Sequence, residues 1–563
     1  MMVEKKKITI TSALPYVNGV KHLGNIAGSM LPADVFHRFL DLMEIENIFI
    51  CGTDEHGTQT EIAAVSEKLS PAEYSEKYYK IQKEIYEKWN FDFTFFGRTS
   101  SKSHVEITQQ FFNSIYKNGY VEKGDLSLPF CKGCKMFLAD RYIEGTCPGC
   151  QNDKARGDQC EQCSKLIDPN ELINPKCKVC GKSEIIFKKE KHLFLDLSKL
   201  QEELKKWIMK SKQWPVGTRN FALAWLAEGL KPRCITRNLK WGIKVPLKGY
   251  SHLVFYVWFD APIGYISITK EGSVDKNAKK KIKNWKKWWT DSQVYHFLGK
   301  DNIPFHTVFW PGMLMASKSK LVDYNLPHLV QGYEYLNWQD EKFSTSRGIG
   351  LFSDDALEMF PSDYWRYYLI SILPEKKDSN FEWNEFQTKI NNELIANYGN
   401  LFYRTTSFIV KHFGKVPRPL KPGTAEIEMN ANIKKSLDKI KEHVTEVKLK
   451  DALKECLNIS DEINKYFQIK EPWIMVRDKK TRKYSASTLY YAINALVTAT
   501  YVLKPIMPQT INQAIKFLNI KDGDKIKWKD LNKPLIKPGH SLKSIILFQK
   551  VDDNEISRLK QRK

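Results

Sequence analysis

Two short polar segments, far apart in the chain, carry side chains suited to phosphate chemistry. His22-Leu23-Gly24-Asn25 follows a strand-like run and a turn, and it starts a helical pattern. A histidine and an amide at a helix start place two donors beside free backbone N–H groups, an arrangement that favours phosphate. Gly24 would let a flat base or ribose approach the backbone. A histidine in a turn is more often structural, so this segment alone leaves both interpretations open.

The second polar segment, residues 341–350, reads EKFSTSRGIG. Lys342 precedes three hydroxyl residues and Arg347, and the segment then runs into glycine. A cationic, hydroxyl-rich loop of this kind could close over a triphosphate.

Eight of the eleven cysteines form four CxxC pairs between residues 131 and 180. The pairs are Cys131/Cys134, Cys147/Cys150, Cys160/Cys163 and Cys177/Cys180. Because tetrahedral Zn²⁺ binds four such sulfurs, the pairs predict two closed structural zinc sites. Disulfides and redox-active pairs are the alternatives, and the lack of a secretion signal disfavours disulfides. A closed site leaves no position for a substrate, so the metal is expected to stabilise a small polar insertion.

Composition bounds the remaining possibilities. A chain of 563 residues with 42% hydrophobic residues predicts about three or four packed domains. The most apolar stretch, residues 490–507, contains Asn494, Lys504 and Pro505 and is predicted to be a buried helix, not a membrane span. The N-terminus passes from charge directly into a strand pattern, which predicts a cytoplasmic protein. The net charge of +23 fits either a soluble lysine-rich surface or polyanion binding.

The periodicity of the chain places these residues on a doubly wound sheet. Residues 8–13 are predicted as a strand, residues 23–42 as an amphipathic helix, and residues 47–51 as a buried parallel strand. Strand, helix and strand with polar residues at the strand ends are typical of a nucleotide-binding fold. Strand-like runs return at residues 252–262 and 294–306, and beyond about residue 386 the pattern becomes helical.

The two polar segments resemble the signatures of the class I aminoacyl-tRNA synthetases, with HLGN similar to HIGH and KFSTS similar to KMSKS. Further segments, from residue 8 to about residue 520, resemble the methionyl-tRNA synthetase branch: ALPYVNGVKHLGN, GTDEHGT, FYVWFDAPIGY, GKDNIPFH and EPW. The doubled cysteine pairs resemble the four-knuckle form common among archaeal members. The resemblance implies an α/β fold with a doubly wound parallel (Rossmann-type) catalytic sheet, a zinc-knuckle insertion and an all-α anticodon-binding helix bundle.

The resemblance also implies a division of the chain. We expect the first half of the catalytic domain at residues 1–118, the insertion with its zinc knuckles at 119–250, and the second half of the catalytic domain at 251–328. The KMSKS-type loop and stem-contact region follow at 329–385, and the helical anticodon-binding domain with a C-terminal extension follows at 386–563.

The implied reaction has two steps. Methionine and ATP, with Mg²⁺, form methionyl-adenylate and pyrophosphate, and the methionyl group then passes to the 3' end of tRNA(Met) for initiation and elongation of translation. The resemblance assigns catalysis to His22, Asn25 and Lys342, and ATP binding to these three together with Gly24 and Thr345. Asn25 replaces a second histidine of the family pattern, and Thr345 replaces a second lysine. Loss of a charge about 4 Å from a phosphate is worth on the order of 4 kcal/mol before desolvation.

A methionine pocket is implied at the strand ends, with Asp54 and Asp301 near the ammonium group. An aromatic-rich run such as FYVWFDAPIGY is usually core, but Asp260 and Asp301 weaken that interpretation because buried carboxylates need a cation. The methionine residues implied by the resemblance are Leu14, Tyr16, Asp54, Trp258, Ala261, Pro262, Tyr265, Asp301 and His306.

The resemblance assigns the CAU anticodon to Asn400, Arg404 and Trp473. Asn400 and Arg404 are four residues apart and share one helix face, while stacking on aromatic side chains is the usual way to bind unpaired bases. Otherwise a core tryptophan and a surface ion-pair arginine would be favoured. From relatives with a single zinc we expect nested sites, with Cys147, Cys150, Cys160 and Cys163 on one ion and Cys131, Cys134, Cys177 and Cys180 on the other.

Several rivals share part of this pattern. Leucyl, isoleucyl and valyl enzymes are much longer and carry an editing domain, and cysteinyl enzymes use zinc inside the amino-acid pocket. A tRNA-binding or scaffold protein with weakened adenylation activity is the remaining alternative, encouraged only by Thr345. Because the chain stops at Lys563 without the dimerising domain that some relatives append, we expect a monomer. We also expect that it binds no membrane, because no apolar run is long enough to span one. A tRNA-binding partner in trans stays open.

Overall fold

The computed structural model describes residues 7–138, 142–157, 160, 162–163, 167–319, 323–343 and 348–561. Within these residues, none of the helices combines the length and apolar character needed to cross a membrane.

The central sheet has five parallel strands, as the sequence predicts. In spatial order they are Leu329–Tyr333, Gln293–Gly299, Ile8–Ser12, Asn47–Thr53 and Phe95–Arg98. The first and second strands in the chain are buried throughout, which explains their nearly continuous apolar or small side chains. Ile8–Ser12 is the central strand. The next two strands of this sheet in the chain, Asn47–Thr53 and Phe95–Arg98, lie on one side of it, and the last two, Gln293–Gly299 and Leu329–Tyr333, lie on the other. The strand order therefore reverses between Ile8–Ser12 and Gln293–Gly299, the usual place for a ligand in such a sheet.

The strands of the central sheet are connected by helices, and the first of these follows the first strand. Residues 23–42 form one helical run, as predicted, but it contains a π turn at Ile26–Met30 between Leu23–Asn25 and Leu31–Leu42. The other helices of the catalytic unit are Thr58–Ser66, Pro71–Lys88, Lys102–Lys117, Val257–Asp260, Gly264–Val274, Lys287–Thr290, Phe305–Phe309 (a π-helix) and Trp310–Ala316. Short 3₁₀ turns lie at Ala261–Ile263 and Lys300–Asn302.

The prediction of a strand over residues 252–262 is wrong for most of its length. Only Val254–Phe255 is a strand, and it pairs with Thr236–Arg237 outside the central sheet. Helical turns begin at Val257 instead. Most of this short apolar run is buried, and such a run has no periodicity that separates strand from helix. Residues 294–306 are similar: the strand ends at Gly299, and helical turns follow.

The cysteine-rich insertion is built from two small antiparallel sheets. The larger contains, in order, Arg233–Cys234, Ile185–Leu195, Val121–Cys131 and Met136–Phe137. The smaller contains Ala155–Arg156, Ile143–Thr146 and Ile173–Cys177. A 3₁₀ turn at Pro169–Glu171 and, further on, Ser198–Leu200 with the helices Gln201–Lys210 and Val216–Ala227 complete this region. Its separate core is small and includes several of the cysteines themselves.

A three-stranded sheet leads into the helical part of the chain. Its strands are Leu336–Trp338, Glu341–Lys342 and Ser379–Phe381, and the helices Ser353–Met359 and Ser362–Ser371 lie between the last two. The predicted helical texture beyond residue 386 is confirmed, and the stretch predicted as a buried helix lies mostly in Arg482–Leu503. The helices are Trp383–Thr388, Lys389–Gly399 (π), Asn400–Phe413, Thr424–Thr445, Leu449–Lys470, Pro472–Met475, Arg482–Leu503, Pro508–Phe517 and Asp553–Gln561, with 3₁₀ turns at Gly523–Lys525 and Trp528–Asp530.

A fully buried arginine joins the catalytic unit to the helical bundle. Arg366 Nη2 donates to Asp34 Oδ2 at 2.6 Å and to the Pro505 carbonyl at 3.0 Å. Its Nε donates to the Ile506 carbonyl at 2.7 Å, and Nη1 donates to the Trp89 carbonyl at 3.3 Å. Because a buried guanidinium needs acceptors, this set of bonds fixes the relative position of the two parts.

Candidate active site and metal centres

One cavity of about 530 Å³ lies at the carboxyl ends of the central strands, where the strand order reverses. Every described residue that the sequence analysis assigns to methionine or ATP lines it: Leu14, Tyr16, His22, Gly24, Asn25, Asp54, Trp258, Ala261, Pro262, Tyr265, Asp301, His306 and Lys342. Thr345 falls in residues 344–347, outside the described part of the chain. Two parts of the chain that are more than two hundred residues apart in sequence therefore share one pocket.

His22 and Asn25 cap the helix that starts beside the cavity. His22 Nδ1 accepts a hydrogen bond from the Asn25 backbone N–H at 3.2 Å, and Asn25 Oδ1 accepts one from the His22 N–H at 3.3 Å. Burial and the neighbouring Lys21 lower the pKa of His22 to about 4. A neutral imidazole whose Nδ1 accepts must carry its proton on Nε2, so His22 offers a neutral donor. The capping box also accounts for Asn25, because its Oδ1 accepts a bond while its amide group can donate.

Phe343 is a site residue that the sequence analysis missed. Its ring stacks on the His22 imidazole with centroids 4.7 Å apart. A Cβ at position 24 would lie 3.1 Å from the Phe343 ring, and a Cβ at position 350, where φ is +105°, would lie 2.1 Å from it. Gly24 and Gly350 thus make room for a phenyl ring on the face where a base or ribose was expected. The only sequence feature that could have indicated a role for Phe343 is its position inside the KFSTS segment.

The cavity mouth carries cations and an aromatic ring. Lys342 is exposed, and its Nζ lies 5.0 Å from the centre of the Tyr335 ring, with Lys300 Nζ at 3.9 Å from the same ring. The Tyr335 hydroxyl donates to Asp301 Oδ1. Asp301 is exposed, so its carboxylate is not a buried charge that needs a cation, and the expectation that it is buried is wrong.

The inner end of the cavity is aromatic and uncharged. His306 Nδ1 bonds to the Asn302 carbonyl at 3.0 Å, and Nε2 lies 2.8 Å from the Tyr265 hydroxyl. Burial lowers the pKa of His306 to about 4, so the ring is neutral, Nδ1 donates and Nε2 accepts from tyrosine. Trp258 packs edge-on against Phe305 with centroids 4.4 Å apart. Such a surface suits an unbranched, polarizable side chain.

The two buried aspartates near this end have different surroundings. Asp54 Oδ1 is buried and has no hydrogen-bond partner among the described residues, and burial with the nearby Asp260 and Glu55 raises its pKa. Asp260 Oδ2 lies 2.5 Å from His56 Nδ1 and 3.5 Å from His104 Nε2. Burial alone would raise the pKa of Asp260, but the two histidines lower it. The expectation that Asp260 needs a substrate cation is therefore wrong, because His56 and His104 already face it.

The eight paired cysteines form two groups of four, in the nested order expected. Cys131, Cys134, Cys177 and Cys180 form one group, and Cys147, Cys150, Cys160 and Cys163 form the other, with all sulfurs of a group within 4.8 Å of one another. The Cys131–Cys180 and Cys150–Cys160 sulfurs are 3.6 Å apart, and the Cys134–Cys177 and Cys147–Cys163 sulfurs are 3.8 Å apart. Disulfide sulfurs lie about 2.05 Å apart, whereas a tetrahedron with Zn–S bonds of about 2.3 Å has edges of about 3.8 Å. Both groups could hold zinc.

Two of the predicted anticodon residues, Arg404 and Trp473, lie close together on the helical bundle. Arg404 Cζ lies 6.0 Å from the centre of the Trp473 ring and 4.9 Å from that of Phe467. Arg404 Nη2 donates to Asn464 Oδ1 at 2.8 Å. Asn400 is exposed one helical turn earlier. Asn464 and Phe467 were missed, because they come from a different helix and no spacing in the sequence relates them to Arg404.

Comparisons with known proteins agree with this architecture. A family described as tRNA synthetases class I (M) matches residues 8–406, and the anticodon binding domain of methionyl tRNA ligase matches residues 416–563. Methionine–tRNA ligase 1 of Acaryochloris marina is 40% identical over 563 aligned residues, which cover 98% of each chain. The methionine–tRNA ligase of Pyrococcus furiosus is 39% identical over 97% of this chain and 76% of its own.

The fold of a solved structure is also similar. Methionyl-tRNA synthetase of Mycobacterium tuberculosis, in complex with methionyl-adenylate, has a TM-score of 0.80 at 23% identity and covers 96% of this chain and 99% of its own. The parallel sheet, the cavity at its switch point and the family match define a class I tRNA synthetase. Within that class, the chain belongs to the methionine–tRNA ligase family. Its reaction is the activation of methionine with ATP and the transfer of methionyl to tRNA.

Proposed function

We propose that the switch-point cavity binds methionine at its inner, aromatic end and ATP at its mouth. The observation that carries this proposal is that all described residues assigned to the two substrates line a single cavity. Tyr265, His306 and Trp258 enclose the methionine side chain, while Asp54 accepts from the ammonium group with its unpartnered oxygen. We further propose that Asp301 contributes at the outer edge, where Tyr335 orients its carboxylate.

His22, Asn25 and Lys342 stabilise the charge that accumulates on the phosphate oxygens of ATP. His22 donates through Nε2 as a neutral group, Asn25 donates through its amide, and Lys342 neutralises the departing pyrophosphate. Mg²⁺ enters with ATP as part of the substrate and adds further positive charge. Catalysis is then mostly positioning and electrostatic stabilisation, with no covalent nucleophile. Thr345 is proposed to lie on ATP as well, from its place in the KMSKS-like segment.

We propose zinc as the metal of both cysteine groups. Sulfur spacings close to a tetrahedral edge support this choice, and four sulfurs leave no open position. When bound, zinc links the ends of short strands that share little apolar core. Backbone N–H groups of Cys134 and Gly149 donate to Cys131 Sγ at 3.4 Å and Cys147 Sγ at 3.3 Å, which orients these sulfurs within their groups.

The tRNA contact proposed for the bundle uses Arg404, Trp473 and Asn400. The arginine lies against two aromatic rings, and this arrangement supports a shelf on which unpaired anticodon bases stack. Asn400 is exposed beside it and offers an amide for base edges.

Lys342→Ala tests the division of the cavity into two ends. Loss of the cation at the mouth should lower the rate of methionine-dependent pyrophosphate exchange by several orders of magnitude and leave the methionine Kd nearly unchanged, because the side chain acts on departing phosphate. Lys83→Met, at an exposed lysine that does not line the cavity, is the matched control. Normal single-turnover adenylate formation by Lys342→Ala at saturating ATP and methionine would show that the mouth is not the ATP end.

A further inference from the structure

Lys21 is a buried cation that the proposed roles above leave unused. It precedes His22 in the chain, lines the cavity and is only 6% exposed. Its Nζ donates to Asn18 Oδ1 at 2.8 Å, and this neutral amide is its one hydrogen-bond partner in the described part of the chain. No carboxylate of the described residues forms an ion pair with it. An ammonium group buried beside a single neutral acceptor is unfavourable, so a site of this kind is suited to an anionic ligand.

Asp54 is the complementary group in the same cavity. It is 4% exposed, and its Oδ1 has no partner in the described structure. Burial lowers the pKa of Lys21 to about 7, an effect that Asp54 partly offsets, while burial raises the pKa of Asp54. The charge on each side chain therefore affects the pKa of the other, although no hydrogen bond or ion pair joins them. Neither forms an ion pair among the described residues, and both line the cavity.

A free amino acid carries the two charges that this pair lacks. Its ammonium and carboxylate groups are attached to one carbon atom, so they reach in two directions over a few ångströms. We propose that Lys21 binds the carboxylate of methionine through Nζ, so that Lys21 and Asp54, which is already assigned to the ammonium group, clamp the two ends of the zwitterion. This inference rests on the proposed assignment of the inner cavity to methionine.

The α-phosphate of ATP is the other oxyanion that Lys21 could meet. Of the donors proposed for phosphate, Asn25 and Lys342 are exposed and His22 is half-buried, whereas Lys21 is buried, as is Asp54. Burial together with Asp54, the proposed partner of the ammonium group, favours the carboxylate over the phosphate. With one carboxylate oxygen held by Lys21, the other forms the new bond to the α-phosphorus as the bond to pyrophosphate breaks.

Binding of methionine and of methioninol, which has the same side chain and ammonium but no carboxylate, tests the clamp. Lys21→Met should weaken methionine about 10-fold or more, because a charged hydrogen bond is lost, and should change methioninol less than about 2-fold. Asp54→Asn should weaken both ligands, because both carry the ammonium. Lys83→Met, at an exposed lysine, should change neither. Titration calorimetry on the full chain measures all four proteins.

The outcomes separate the clamp from the wider proposal. If the native chain binds neither ligand, the assignment of the cavity to methionine is wrong. If the native chain binds both and Lys21→Met binds methionine normally, the clamp is wrong, and a lower ATP affinity in that variant would place Lys21 on phosphate. Equal weakening of both ligands by Lys21→Met also overturns the clamp. Lys21→Gln, which keeps a donor without charge, replaces Lys21→Met if the thermal midpoint of the latter falls.

Discussion

Replacement of Trp473 by alanine should separate tRNA charging from amino-acid activation. The ring is half-buried and its centre lies 6.0 Å from Arg404 Cζ, so the change removes a stacking face and a cation–π contact together. A stacked base is worth about 1–3 kcal/mol and the cation–π contact about 0.5–1 kcal/mol. Because these contributions are not additive, we expect a loss of about 2 kcal/mol, equivalent to about 30-fold in kcat/KM for tRNA.

The assay compares aminoacylation of tRNA(Met) with methionine-dependent pyrophosphate exchange in the same preparation. Exchange should stay within about 2-fold of the native rate, because Trp473 lies on the helical bundle and not in the cavity lining. Trp473→Phe should recover much of the charging activity, since it keeps a ring. Ile474→Ala, at a neighbouring side chain that is 52% exposed, is the matched control. An equal fall in exchange and charging would refute the reasoning and make Trp473 a structural residue.

Two further changes test the metal groups and the pH dependence of stability. Cys160→Ser should lower the zinc content by about one ion per chain and speed proteolysis of the insertion, while pyrophosphate exchange changes little, because a closed four-sulfur site stabilises structure. Glu375→Gln should raise the thermal midpoint at pH 8 but not at pH 5. Burial raises the pKa of Glu375 to about 7 from 4.5, so its ionisation costs stability progressively as pH rises through this window, by roughly 1–3 kcal/mol.

Controls for these two changes are available in the chain. Cys456→Ser, at a buried cysteine outside both groups, should keep two zinc ions. Retention of two ions by Cys160→Ser would contradict the four-sulfur assignment. Glu375 Oε1 accepts from the Lys450 backbone N–H at 3.2 Å, a bond that glutamine can keep. An equal shift of the midpoint at pH 5 and pH 8 would mean that packing, and not charge, decides the effect.

Local patterns predicted the parts of the fold that depend on neighbours in sequence. The helical run from Leu23 was readable from its period, and the strand predicted at 47–51, which extends to Thr53, was readable as a short apolar run that ends in polar, glycine-containing residues. The nested cysteine grouping came from resemblance and agrees with the sulfur geometry. The helix at Val257 was not readable, since a short, mostly buried apolar run shows no period.

The site features that could not be predicted from the sequence depend on contacts between residues that are far apart in the chain. Asp260 is paired with His56, which is 204 residues away, so its histidine partner became visible only in three dimensions. Phe343 covers Gly24, a contact that neither the glycine nor the loop predicts. The cavity residues were predictable because the two signature segments are each continuous in the chain, whereas Lys21 was passed over because buried lysines have no sequence signature.

The buried Arg366 makes the catalytic unit and the helical bundle unsuitable for exchange as independent modules. Two of its acceptors, the Pro505 and Ile506 carbonyls, belong to the bundle, and Asp34 and the Trp89 carbonyl belong to the catalytic unit. A bundle transplanted from a relative must present two carbonyl oxygens at the same place, or a guanidinium is left partly unsatisfied in the interior. The two positions contribute backbone atoms only, so the side chains there matter through the chain path that they allow, as Pro505 does by fixing its φ angle. A chimera therefore succeeds or fails on the path of the chain after Arg482–Leu503, which sequence identity does not measure.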